Sequence, residues 1–155
     1  MPLFKAYPST AQSVIIGMMR IITVIAVVLS LVFLAGCGGQ TTRVALGQEF
    51  PLAVGESAAI KGENLLVTFV EVVEDSRCPT GATCIWEGRA TSRVKIASSN
   101  GTQNIDLTEP GLSAGMSQQT FGNYWINFRL LPYPVVGKEK AVSDYRFYLS
   151  VSRLK

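Results

Sequence analysis

The sequence predicts an all-β domain, an antiparallel, Ig-like sandwich of about seven strands, and three observations carry that prediction. In the runs Gly88 to Ser98, Asn123 to Leu131 and Asp144 to Leu154 apolar residues recur at alternate positions, and no stretch of ten or more residues in the domain shows helical spacing. The alternating runs are rich in β-branched and aromatic residues, and Gly, Pro or Asn-Gly turns separate them. Strands with one wet face bury the other by stacking two sheets or by closing into a ring, so a small barrel is the alternative.

Taken in order, Arg43 to Leu52 contains the short apolar pieces Val-Ala-Leu and Phe-Pro-Leu, broken by Gly47 and Pro51, and supports at most an edge strand. Val54-Gly55-Glu56 reads as a turn, Ser57 to Lys61 as a brief strand and Gly62-Glu63-Asn64 as another turn. Leu65 to Val73, LLVTFVEVV, is the strongest strand signal, and its apolar character at both parities predicts a central strand with Val67 and Phe69 inward. Gly88 to Ser98 places Ala90, Ser92, Val94 and Ile96 on one side against Thr91, Arg93 and Lys95 on the other.

Asn100-Gly101 suits the positive φ of a tight hairpin turn, and Gln103 to Leu107 returns with Ile105 and Leu107 inward. The polar stretch Thr108 to Thr120 is expected to be a loop, at the point where the chain crosses between sheets. Asn123 to Leu131 alternates Tyr124, Ile126, Phe128 and Leu130 against Trp125, Asn127, Arg129 and Leu131 before Pro132-Tyr133-Pro134 stops it. Gly137 to Lys140 reads as an exposed turn, and Asp144 to Leu154 forms a last strand with Tyr145, Phe147, Leu149 and Val151 on one face.

Ahead of this domain lies a run without charge, Ile21 to Ala35, preceded by Arg20 and followed by Gly36, Cys37 and Gly38. A membrane-spanning helix needs roughly 20 apolar residues, and the run reaches that length only by counting Val14 to Met19 across Gly17 and Arg20. It fits a secretory signal better: a basic head in Lys5 and Arg20, an apolar stretch, and small residues at the cut. Leu34-Ala35-Gly36-Cys37 resembles the lipobox of bacterial lipoproteins. That resemblance implies cleavage just before Cys37, a diacylglycerol on its thiol, and an extracytoplasmic domain held to a cell membrane or outer membrane by lipid. Residues 1–36 are then a cleaved signal peptide, 37–42 a lipidated tether and 43–155 a single all-β domain. The leader is long unless translation starts at Met18 or Met19, and a plain transmembrane anchor with an incidental cysteine is the competing reading.

Loss of Lys5 and Arg20 with the leader leaves twelve of the fourteen basic residues against eleven acidic ones. Such a balanced surface lacks the basic stripe that nucleic-acid binding requires. Histidine is absent, which removes the commonest general base and nitrogen ligand, and no cofactor motif is present. With Cys37 assigned to the anchor, Cys78 and Cys84 remain as an even pair, expected to form a structural disulfide in an oxidising compartment. Five residues separate them, including Pro79 and Gly81, instead of the two that redox-active motifs carry.

The segment around the pair, DSRCPTGATCIWEGRA, is the most individual part of the chain. Trp86 is expected to cover the disulfide or cap the core, with an exposed contact for a partner as the alternative, to which Thr80 and Thr83 would contribute. Glu74, Asp75 and Glu87 flank the loop; they read first as solvated charges paired with Arg77 or Arg89, and weakly as a calcium site or as a carboxylate pair for glycoside hydrolysis. The segment also resembles a motif of small bacterial lipoproteins and secreted β-domains to which no activity is attached, which implies a structural disulfide loop and supplies no catalytic residue.

The function expected from these features is a lipid-anchored envelope module that binds or supports an envelope protein or a cell-wall polymer. A small hydrolase built on the carboxylates is one alternative. An inhibitor or accessory module presenting Thr80 to Thr83 as a projecting tip is another.

Overall fold

The computed structural model describes residues 41–112 and 115–154, so the expected leader, Cys37 and most of the tether lie outside the described residues. Among the described residues nine strands are formed: β1 (Thr41–Val44), β2 (Phe50–Leu52), β3 (Ser57–Ile60), β4 (Leu65–Asp75), β5 (Arg89–Ser98), β6 (Gly101–Pro110), β7 (Ser117–Phe121), β8 (Tyr124–Leu131) and β9 (Arg146–Arg153). They make a five-stranded sheet in the order β1-β3-β4-β5-β6 and a four-stranded sheet in the order β2-β9-β8-β7. The two sheets face each other as a sandwich, not a closed barrel. All pairings are antiparallel except β1 with β3.

Alternation placed the inward faces correctly. Val67 and Phe69 of β4, Val94 and Ile96 of β5, Ile126, Phe128 and Leu130 of β8, and Phe147, Leu149 and Val151 of β9 are all buried. At the centre Phe147 stacks on Phe69 with ring centroids 5.1 Å apart and tilts against Phe128 at 5.9 Å, joining the two sheets through aromatic contact. Ile105 is only half buried, because β6 is an edge strand.

The strand count exceeds about seven for two reasons. The region Arg43 to Leu52 supplies an edge to each sheet, with Thr41 and Thr42 of the expected tether already in β1 and Pro51 tolerated on the outer edge of β2. The stretch expected to be a loop, Thr108 to Thr120, is partly strand: β6 continues to Pro110, and Ser117–Phe121 adds β7 beside β8. β7 lies at an edge with mostly exposed side chains, so backbone pairing makes it a strand without an apolar pattern. The crossing between sheets does occur there, between β6 and β7.

Register divides the sandwich into two ends. β4 stops at Asp75, β5 begins at Arg89, β6 stops at Pro110, β8 stops at Leu131 and β9 begins at Arg146, all at one end, together with the cysteine loop. At the other end Glu63 accepts from the Tyr124 hydroxyl at 2.7 Å and from Arg153 at 2.9 and 3.0 Å, tying the sheets together beside the turn Ser98–Gly101.

Candidate contact site at the cysteine end

The cysteine loop leaves β4 at Asp75 and returns in β5 at Arg89. Cys78 and Cys84 are bonded, with Cα atoms 6.0 Å apart, within the span a disulfide bridges. Backbone bonds zip the stem of the loop: Ser76 N donates to Arg89 O at 2.8 Å and Cys78 N to Glu87 O at 3.1 Å. Two glycines allow this closeness. A Cβ on Gly88, whose φ is +69°, would sit 1.9 Å from Ser76 O, and one on Gly111 would sit 1.8 Å from Glu87 O. Further out, Thr80 N donates to Pro134 O at 2.9 Å, Val136 N donates to Thr80 O at 3.2 Å, and the Tyr133 hydroxyl donates to Gly111 O. The loop therefore lies along residues 134–136 and does not stand out as a free tip, although Thr80 and Thr83 are exposed.

Beneath the loop Arg77 enters the sandwich. Its Nε and Nη2 donate to the two Asp75 oxygens at 2.7 and 2.8 Å, and its Nη1 donates to Glu109 Oε1 at 2.7 Å and Leu130 O at 2.8 Å. The guanidinium also lies 4.7 Å from the centre of the Tyr133 ring, a cation–π contact. The side chains of Arg77, Asp75 and Glu109 are 1 %, 5 % and 4 % exposed, so the ions are desolvated and must satisfy one another. Glu109 accepts from Leu130 N at 3.2 Å, while Asp75 Oδ2 accepts from the Tyr145 hydroxyl at 3.0 Å and has Lys140 Nζ at 3.9 Å. Lys140 donates to Pro132 O at 2.8 Å, which makes it a half-buried part of this assembly instead of a member of an exposed turn. Residues of β4 and β6 in one sheet are thus bonded to β8 and the approach to β9 in the other.

The two buried carboxylates titrate in opposite directions. Burial pushes Asp75 up, but the hydrogen bonds and charge of Arg77, helped by Tyr145 and Lys140, outweigh it and leave the carboxyl below its ordinary value. Burial also pushes Glu109 up; the Leu130 N–H and Arg77 offset only part of that, so it ends above its ordinary value. Lys140 is lowered, chiefly by burial.

The weaker reading of Glu74, Asp75 and Glu87 as a converging carboxylate group is not met. Successive residues of β4 point to opposite faces: Glu74 lies outside, bonded to Ser76 at 2.8 Å and Arg89 at 3.0 Å, whereas Asp75 lies inside on Arg77. Glu87 is exposed and separate. Among the described residues no group of three acidic, histidine or cysteine side chains could hold a metal ion. The pairings expected with Arg77 and Arg89 are present, but Asp75 is not solvated. Glu109 falls in the stretch expected to be a loop, yet it shares the parity of Ile105 and Leu107 and so continues the inward face of β6.

Trp86 does not cap the core. It is 71 % exposed, beside Ile85 at 91 %, and Leu112 across the loop is 73 % exposed. Among the described residues, Leu46 is the one exposed large apolar side chain away from this end; the rest belong to it, including Val73, Val136 and Val142. Beside the disulfide, Thr80, Leu112 and Tyr133 border a shallow cavity of about 350 Å³. The chain matches no family model, no curated protein and no solved structure.

Proposed function

We propose that this chain is a non-catalytic, lipid-anchored binding module of the bacterial cell envelope, with the cysteine end of the sandwich as its contact surface. The observation that carries the proposal is the gathering of exposed apolar side chains, Ile85 and Trp86 foremost, on backbone braced by the disulfide and by the buried Arg77 assembly. Soluble domains seldom leave large apolar side chains grouped in one region unless that region meets something. Bracing reduces the ordering cost of such a contact. Export through a lipobox ending at Cys37 supports the disulfide, because oxidising compartments preserve such bonds.

Two experiments test the proposal. Intact-mass analysis of membrane-extracted protein should show a lipid-modified N-terminus at Cys37 that Cys37→Ser abolishes; an unmodified N-terminus before residue 37 overturns the anchor. A photo-crosslinking amino acid at position 85 should give adducts with an envelope component in cells, and the same probe at Asn100, at the opposite end, should not. Equal labelling from both positions, or none from 85, overturns the contact surface.

A further inference from the structure

We infer that the surface met by the cysteine end is the lipid bilayer itself, so that the domain sits on the membrane through its lipid and through Ile85, Trp86 and Leu112 together. The inference rests on the proposed reading that this end is a contact surface and names what it contacts. The first observation is the direction in which the chain enters the fold. β1 runs parallel to β3 with Thr41 opposite Ser57, and Ser57 lies opposite Thr68 of β4. Moving back from Thr41 corresponds to moving forward along β4 from Thr68 toward Asp75, which is toward the cysteine end. The chain therefore enters from that side, while β9 carries the C-terminus to the opposite end, with Arg153 paired to Tyr124.

The second observation is reach. Cys37 precedes Thr41 by four residues, which span at most about 14 Å whatever their path. Thr68 to Asp75 is seven residues, but with two bulges it matches the five-residue step from Lys95 to Ala90 of β5, about 17 Å along the sheet. A lipid on Cys37 is thus held within about 14 Å of Thr41, the residue at which the chain enters β1 from the side of the cysteine end.

The third observation is the contrast between the ends. The cysteine end carries Ile85, Trp86, Leu112, Val136 and Val142 exposed, with Glu87 and Arg89 among them, whereas the opposite end presents Glu63, Asn64, Asn100, Asn123 and Arg153 with Leu46 as its exposed large apolar side chain. Tryptophan suits the boundary between headgroups and acyl chains, where its ring is apolar and its N–H remains wet. A short lipid tether and an apolar end on one side of the molecule form two attachments to one surface, which hold a domain more firmly than the lipid alone.

The test uses the full lipidated chain in phosphatidylcholine vesicles whose acyl chains carry bromine, a quencher of indole fluorescence. Trp86 and Trp125 are the two tryptophans, so Trp125→Phe leaves Trp86 as the reporter and Trp86→Phe leaves Trp125. The Trp86 reporter should shift its emission to the blue and lose most of its intensity in brominated vesicles relative to plain ones. The Trp125 reporter, half buried on β8 opposite Ser152, should change little. If Trp86 is unquenched while position 85 cross-links to an envelope protein, the bilayer inference falls and the proposed function stands. If Trp86 is unquenched and position 85 gives no adduct, both fall. Equal quenching of both tryptophans also overturns the inferred orientation.

Discussion

Replacing Arg77 by methionine removes a buried cation while keeping much of its length. In the native fold the guanidinium is bonded to both oxygens of Asp75, to Glu109 and to the Leu130 carbonyl. The substitution leaves two carboxylates and a carbonyl without that partner in a region shielded from water. Breaking a buried pair from one side costs about 3–5 kcal/mol, since the remaining charge stays desolvated. Against a typical domain stability of about 5–15 kcal/mol this is a large fraction. With a urea m-value of about 1.5 kcal/mol/M it lowers the unfolding midpoint by about 2–3 M. Urea unfolding of the disulfide-intact chain, followed by far-ultraviolet circular dichroism, measures the shift. Arg89→Met, which breaks the exposed pair with Glu74, is the control and should move the midpoint little. A loss below about 1 kcal/mol for Arg77→Met, or one equal to the control, would refute the hub assigned to Arg77.

The same end of the fold carries the remaining expectations. Gly88→Ala places a Cβ against Ser76 O in a left-handed backbone conformation and should destabilise by about 2–4 kcal/mol, read as a lowered melting temperature; an unchanged melting temperature would show that the stem can open without cost. Replacing both Cys78 and Cys84 by serine should cost about 2 kcal/mol from the short loop, together with faster proteolysis between residues 78 and 88, and equal cleavage rates would contradict the bracing role. Asp75 has a depressed folded pKa, so its stabilising contribution is present above the ordinary value of 3.8 and is lost as pH falls through the lower folded value. The deficit of Asp75→Asn should accordingly narrow on acidification. Glu109 has a raised folded pKa, so its contribution is present below 4.5 and is lost as pH rises through the folded value; the stability of Glu109→Gln relative to the native chain should improve over that rise. Urea midpoints across pH 3 to 8 check both, and parallel curves for native and variant proteins would refute the assignments.

Much of the fold was legible because alternation is a local property. Val67 with Phe69, and Phe147 with Leu149 and Val151, declare their faces within a few residues, and burial of those faces against a second sheet follows. β7 was not legible, because Ser117–Phe121 becomes a strand through hydrogen bonds to β8 and needs no apolar code of its own. Of the candidate site, the Cys78–Cys84 bond was readable from the even pair and its spacing across Pro79 and Gly81. The inward turn of Arg77 was not, since its partner Glu109 is 32 residues away and its carbonyl acceptor in Leu130 is 53 away.

By itself the sequence determined an all-β domain, its inward faces, and the cysteine pair, with Cys37 as the expected lipid site. Tertiary structure alone decided that Glu74 and Asp75 part company, one to solvent and one to a buried ion assembly, and that Trp86 stands exposed beside Ile85. The physical reason is distance along the chain. Period and composition report what each residue's neighbours permit, whereas desolvation and ion pairing depend on which remote strands the register brings to the same end of the sandwich.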